Sequence, residues 1–460
     1  MHRRSIAIVA VASLSAALII GTPASAAPAF SNTLLLGSWT PTGGITTQPN
    51  ANSSGDSEPA IAIGGPDNTL VVDGLAWLPF QVNVWKGHFG DMPPTYLGGL
   101  DTLIATHGNG RIGLGSGDAD IEVTSAGTIL LADLDFIVNK NFNFTLGVSI
   151  TRCPASASAP SDCTTTLLDQ SGADREWLTV DGTTAYLSYH DSGSSSTIHV
   201  LRSTDDGRTW HRVHGPIQGQ GKVTGNATFN NDQGPLVADP TTHNLYDIYA
   251  AGEASVQKGT SADFNNIYVS RSRDGGITWK ANLVFHAARF TALNNIFPAL
   301  AVDAANGDLY AAWSDQHTVW VSSSTDEGVH WSDPLGVSTA TTVVMPWVAA
   351  RNGKVDVVYY GTDAASISVT SAVWNVFDSQ LNGGSWTVKQ VSNTPNRVGA
   401  VCLGGSSCSA DRQLLDLFEV VLDPVTDKAA VVYTDSTIDT YTTPDGVVHQ
   451  LPEIILAYEQ

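Results

Sequence analysis

Residues 201–212 read LRSTDDGRTWHR, and within them Ser203, Asp205, Gly207, Thr209 and Trp210 form the frame Ser-x-Asp-x-Gly-x-Thr-Trp. It follows the alternating strand pattern IHVLR and returns twice. Ser272, Asp274, Gly276, Thr278 and Trp279 carry it in SRSRDGGITW, and Ser324, Asp326, Gly328 and Trp331 carry it in SSSTDEGVHW. A motif used three times belongs to the architecture rather than to a single reaction centre. An Asp at a tight turn accepts hydrogen bonds from the amides after it, Gly permits positive φ, and Trp covers apolar interior. Asp205, Asp274 and Asp326 are therefore read as structural fasteners.

Working outward, the chain repeats a longer unit: a polar or acidic entry, a short alternating strand, a Gly, Asn or Asp turn, and a second apolar strand often ending in Asp. Copies begin at Asp56 (DSEPAIAI), Gly117 (GDADIEV), Asp174 (DREWLTV), Asp232 (DQGPLVAD), Asn295 (NIFPALAVD), Met345 (MPWVAAR) and Asp411 (DRQLLDLFEVVL). A mean period of about 59 residues suits one four-stranded blade with its loops. Third strands are expected at FQVNVWK, NFTLGVSITR, TIHVLRS, NIYVSRS, TVWVSSS, SISVTSAVW and the terminal EIILAYEQ. The seventh copy stops after its third strand, so NTLLLGSWT near the N-terminus is expected to supply the fourth and close the ring, leaving no exposed sheet edge. The fold class predicted is an all-β propeller of seven four-stranded blades, with six as the alternative.

The first 26 residues combine a basic start, an apolar run from Ile6 to Ile20 and the small-residue site Ala24-Ser25-Ala26, the pattern of a secretory signal peptide. Residues 27–460 are read as one propeller domain, exported and monomeric. Removing the leader takes away two arginines and no acid, so the formal charge goes from −22 to −24. Such acidity argues against nucleic acid or an anionic membrane surface as partner. No later stretch approaches the roughly 20 apolar residues of a membrane-spanning helix. Four cysteines form two close pairs, Cys153 with Cys163 and Cys402 with Cys408, and in an oxidising compartment local pairing is expected.

The repeated frame resembles the Asp-box, or bacterial neuraminidase repeat, and the chain is similar to the sialidase superfamily of β-propellers over residues 30–460. That resemblance implies Asp-boxes on the face opposite the ligand, and a ligand face built from the loops entering each first strand and joining second to third strands. Those positions hold Asp56, Glu58, Asp118, Asp120, Asp174, Arg175, Glu176, Asp232, Asp411 and Arg412. Second-strand ends add Asp135, Asp191, Glu253, Asp315, Asp363 and Asp435, with Tyr189, Tyr249, Tyr360 and Tyr433 nearby. Trp77, Trp177 and Trp347 near the rim are candidates for stacking on sugars.

Paired carboxylates suit glycoside cleavage, one protonating the leaving oxygen and one attacking or stabilising the anomeric carbon. The resemblance implies three arginines clamping a substrate carboxylate, a Tyr nucleophile paired with Glu, and an Asp acid/base in an early loop. Arg175 and Arg412 match as carboxylate binders, with Arg111, Arg351 or Arg397 to complete the set. Asp118 or Asp120 matches the acid, and Tyr433 with Glu253 the nucleophile pair. Glu176, Asp56 and Glu58 are expected to bind substrate. The chain departs from the pattern at its first blade, where SEPAIAI has no Arg and Arg111 lacks the Pro that should follow its Ile. The function expected is a secreted exo-α-sialidase-like glycoside hydrolase acting on glycans. Alternatives are a non-catalytic glycan- or protein-binding propeller and a polysaccharide lyase. No cofactor is expected; the acidic GDAD stretch leaves room for structural calcium, and no metal ligand set is assigned. GNGRIG, Gly108 to Gly113, is not followed by a helix, so a dinucleotide role is set aside.

Overall fold

The computed structural model describes residues 28–78, 80–101, 112–138, 144–191, 197–218, 222–223, 231–252, 264–405, 408 and 412–460. The expected leader, Arg111, Glu253 and Asp411 lie outside them. Seven four-stranded antiparallel blades follow one another around an axis. Their innermost strands include Ile112–Val123 in blade 2, Ala173–Asp181 in blade 3, Asn231–Ala238 in blade 4, Ala299–Asp303 in blade 5, Thr342–Arg351 in blade 6 and Glu419–Leu422 in blade 7. In blade 1 the inner strand is broken into Asp56–Ser57 and Ile61–Gly64. Among the described residues helix is confined to short 3₁₀ stretches such as Pro160–Asp162, and no helix is long and apolar enough to cross a membrane.

The ring closes as the terminal pattern suggests. Phe30–Leu35 pairs antiparallel with Val448–Glu459, from Phe30 opposite Glu459 to Leu35 opposite Ile454. Blade 7 thus takes three strands from the C-terminus and its outer strand from the N-terminus. Both faces of a middle strand are apolar because each packs on a different neighbour. In Ala429–Thr442, Ala430 and Val432 face blade 1 with Leu70 and Trp85, while Val431 and Tyr433 face blade 6 with Tyr360 and Val376.

One expected strand is misplaced. SISVTSAVW was assigned as the third strand of blade 6, but that strand is Val373–Asn382, and residues 366–372 form turns in which Val369 N–H donates to Ser366 and Ala372 N–H to Val369. Ser/Thr alternation copies the strand period without offering two apolar faces. Both disulfides form locally, Cys153–Cys163 and Cys402–Cys408.

The three repeated turns share one bonding pattern. Ser203 Oγ donates to Asp205 (2.9 Å), whose carboxylate accepts Thr209 N–H (2.8 Å) and Thr209 Oγ1–H (2.7 Å). Asp274 repeats this with Thr278, and Asp326 with His330 N–H. The neighbouring Asp206 does something else. It accepts from Thr124 Oγ1 (2.7 Å), Thr128 Oγ1 (2.6 Å) and Arg152 (2.6 Å), all of blade 2, and so ties blade 3 to the turn between the first two strands of blade 2. The repeated turns therefore share a face with the first-to-second strand turns, opposite the inner-strand entries.

At those entries the inner strands bulge at a common height. Arg175 and Glu176 lie opposite the single Tyr189; Gly117 and Asp118 opposite Leu134; Gly234 and Pro235 opposite Ile248; Met345 and Pro346 opposite Tyr359. Glu58 and Pro59 sit in the break of the blade 1 strand. Glu58 (φ 54°), Arg175 (φ 62°) and Met345 (φ 54°) adopt left-handed backbone there. A bulge re-aims the side chains beside it and is a recurrent device next to active sites.

Candidate active site

The bulges bring charged groups from three blades to the axis. Glu58 of blade 1, Asp118 of blade 2 and Asp174, Arg175 and Glu176 of blade 3 meet Arg412 and Asp416, which precede the blade 7 inner strand, in one electrostatically connected cluster. Asp118, Asp174, Arg175 and Arg412 are part-exposed, whereas Glu58, Glu176 and Asp416 are buried beneath them, Glu58 at 1% and Glu176 at 3% exposure. Burial, reinforced by Asp174 and Asp416, pushes the Asp118 carboxyl up to about 7. Burial beside Asp118 and Asp416 drives Glu58 well above the carboxylate range, and burial beside Asp118 and Asp174 does the same to Glu176. Neither Glu58 nor Glu176 has a side-chain hydrogen-bond donor among the described residues.

Both arginines reach this cluster, and both are already engaged. Arg175 pairs with Asp232 of blade 4, its guanidinium carbon 4.5 Å from the centre of the Phe297 ring; Asp232 also accepts from Asn294 Nδ2 at 3.0 Å. Arg412 pairs with Asp416. Beneath the charges lies an aromatic floor. Trp177 packs 5.4 Å from both Phe297 and Trp347, and Phe418 lies 4.2 Å from Tyr360.

Several expected site residues fall elsewhere. Asp120 is two residues from Asp118 but below the bulge, where its carboxylate accepts Leu178 N–H of blade 3 (2.6 Å) and Ile121 N–H (2.8 Å). It is an inter-blade tie, matched by Glu419, which accepts Ile61 N–H of blade 1 at 2.9 Å. Asp56 is fully buried, bonded by Asn83 Nδ2 at 2.7 Å. Tyr433 is buried in the core between blades 6 and 7, its hydroxyl 3.2 Å from Asn32 of the closing strand. Tyr189, Tyr249 and Tyr360 are likewise committed, to Asp169, Ser270 and the Thr434 amide. Trp177, at 1% exposure, is floor rather than rim.

Of the arginines meant to complete a set of three, Arg351 and Arg397 also lie away. Arg351 bonds Asp427 and the Pro424 carbonyl, and Arg397 is buried against the Ala400 carbonyl and Gln413. Asp416 and Asp232 were not both foreseen as partners of the arginines. DRQLLD does show Asp416 four residues after Arg412, but Asp416 lies five residues past the repeat start at Asp411, so only the folded loop reveals the pairing.

A cavity of about 350 Å³ occupies the axis on the opposite side of the floor, lined by Asp120, Glu122, Glu419, Arg351 and aliphatic inner-strand residues. It is larger than the cleft at the floor, yet Asp120 and Glu419 there serve neighbouring backbone amides. The cluster above, where the buried Glu58 and Glu176 carboxyls have no side-chain donor, is the better candidate for chemistry. Among the described residues no group of three or more His, Cys, Asp or Glu has the arrangement of a metal site.

Neither a protein-family model nor a curated protein sequence matches the chain. Solved structures similar to it include a protein of unknown function from Dyadobacter fermentans, at 12% identity and TM-score 0.45, covering 94% of this chain and 100% of that one. Trypanosoma rangeli sialidase is similar at 11% identity and TM-score 0.45, with 94% of this chain covered but only 60% of the sialidase. Penicillium chrysogenum α-L-arabinanase, complexed with arabinobiose, is similar at 12% identity and TM-score 0.45, covering 72% and 93%. At these identities the likenesses say nothing of activity, which rests on the chain's own residues.

Proposed function

We propose that the protein is a glycoside hydrolase acting at the axial cup, with Asp118 as proton donor to the leaving oxygen and Asp416 as the carboxylate facing the positive charge that develops at the anomeric carbon. What carries this reading is the contrast between two neighbouring carboxyls. Asp118 is part-exposed and pushed up to about 7, so it keeps its proton near neutrality; Asp416 is held by a guanidinium. Carboxyls whose surroundings differ in this way divide acid and base roles between them. Glu58 and Glu176, buried on either side, would accept hydrogen bonds from ring hydroxyls. Arg175 and Arg412 act as positioning residues for Asp232 and Asp416 in this reading, which is why it is not narrowed to an exo-sialidase. The two disulfides fit a protein that works outside the cytoplasm.

The test is release of chromophore from a broad panel of aryl glycosides, and of reducing ends from oligosaccharides. Asp118→Asn is expected to lower kcat by about 10²–10⁴-fold with a smaller effect on KM. No release from any member of either panel would overturn the hydrolase reading and leave a binding propeller.

A further inference from the structure

Resting on that reading, we infer that the cup accepts uncharged glycans and turns away sugars that carry a carboxylate. Six carboxyls, those of Glu58, Asp118, Asp174, Glu176, Asp232 and Asp416, surround two guanidiniums, and each guanidinium has a resident partner. For Arg175 to clamp a substrate carboxylate it must either leave Asp232, which is 7% exposed and would stay buried without its cation, or hold two carboxylates with one positive charge. Removing one member of a buried pair is the costly way to break it. Arg412, whose Nε–H has no partner among the described residues, faces the same choice with Asp416, at 5% exposure.

The acceptors left over point to the ligand's chemistry. Glu58 and Glu176 present carboxyl oxygens that no side-chain donor satisfies, the Asp416 amide alone reaching Glu58 and its own amide Glu176, and they border Asp118 at the axis. Buried polar groups of this kind are satisfied by a ligand or by water. Sugar hydroxyls are donors that bring no charge, whereas a sialic or uronic acid brings an anion to a cup whose two guanidiniums already face the carboxylates of Asp232 and Asp416. The part-exposed Trp347 at the floor offers an apolar face to a ring.

Matched ligands that differ only in charge test this. Oligogalacturonides and their methyl esters, sialyllactose and its methyl ester, and neutral arabino- and gluco-oligosaccharides would be titrated calorimetrically into the mature chain, while the same mixtures are monitored for bond cleavage. At least one uncharged glycan is expected to bind about tenfold or more tighter than its acid, with little change between about 50 and about 500 mM salt. Asp232→Asn, which frees the Arg175 guanidinium, is expected to narrow that preference. Asp174→Asn, at a part-exposed position, gives the same readout should the buried substitution fail to fold, and thermal melts check both.

An acid bound as tightly as its ester, binding confined to cationic amino sugars, or no binding of any uncharged glycan would overturn the inference. Release of sialic acid would overturn it too while leaving hydrolysis standing. Uncharged glycans bound without cleavage would support it and sink the hydrolase reading instead.

Discussion

Asp205 and Asp206 are chain neighbours with different occupations. Asp205 closes its own turn, and its role is visible in the spacing of Ser203, Gly207 and Thr209 because every partner lies within four residues. Asp206 ties blade 3 to blade 2 through Thr124, Thr128 and Arg152, residues 54–82 positions away that no local reading reaches. Asp206→Ala takes the carboxylate away from Arg152 and two hydroxyls at the seam, leaving Arg152 its bond to the residue 206 carbonyl. It is expected to cost about 2–3 kcal/mol in chemical denaturation, with activity per folded molecule preserved. Asp118 and Asp120 divide in the same manner, one to the cup and one to a seam. If Asp118 is the acid, its protonated form is lost as pH rises through about 7, so kcat/KM should fall on the alkaline side with a limb there. Asp118→Asn should abolish that limb, and a limb unchanged in the variant would assign it to another group.

At the scale of elements, two devices position the site: the bulges and the closing strand. Gly234 sits in the blade 4 bulge, where an added Cβ would come within 2.0 Å of the Pro298 carbonyl oxygen of blade 5. Backbone cannot retreat as a flexible side chain can, so Gly234→Ala is expected to destabilise by about 1–3 kcal/mol and to perturb the cup through Asp232. Equal melting temperatures for the variant and the parent would show that the blades have room to shift. Phe30, fully buried in the closing strand, anchors it between blades 6 and 7. Phe30→Ala should cost about 3–5 kcal/mol and lower the unfolding midpoint accordingly. The repeat starts lie beside the bulges without identifying them, since DQGP and MPWV place Pro in a bulge and SEPA places it in the blade 1 break, yet they do not say that two residues face one.

For the whole molecule, burial of acids sets the response to pH. Burial pushes Asp56 and Asp120 up to about 7, and Asp73, Glu122 and Asp135 up to about 8, from ordinary values of 3.8 for Asp and 4.5 for Glu. The folded chain therefore binds more protons than the unfolded chain between about pH 4 and about pH 8, and stability held below that window is lost as pH rises through it. Hydrogen bonds act the other way on Asp205, through Thr209, and on Asp326, through His330, holding both at about 2; that stability is lost as pH falls toward 2. Thermal midpoints should therefore peak near about pH 4–5 and decline toward about pH 9, a trend the net charge of −22 reinforces. A midpoint rising between about pH 5 and about pH 9 would contradict the buried-acid account.

The sequence by itself determined the propeller, the closing N-terminal strand, the local disulfides and the structural nature of the repeated turns, and favoured seven units over six. Each of these follows from contacts within a few residues or from a period repeated often enough to be recognised. Only the tertiary structure decided which acids converge. Whether a side chain at an inner-strand entry points to the axis depends on a one-residue bulge, and whether an arginine is free depends on a carboxylate from another blade. Asp118 and Glu176 face the cup, Asp120 and Asp56 do not, and Arg175 and Arg412 arrive already paired, because register and pairing between distant strands are set only when the ring closes.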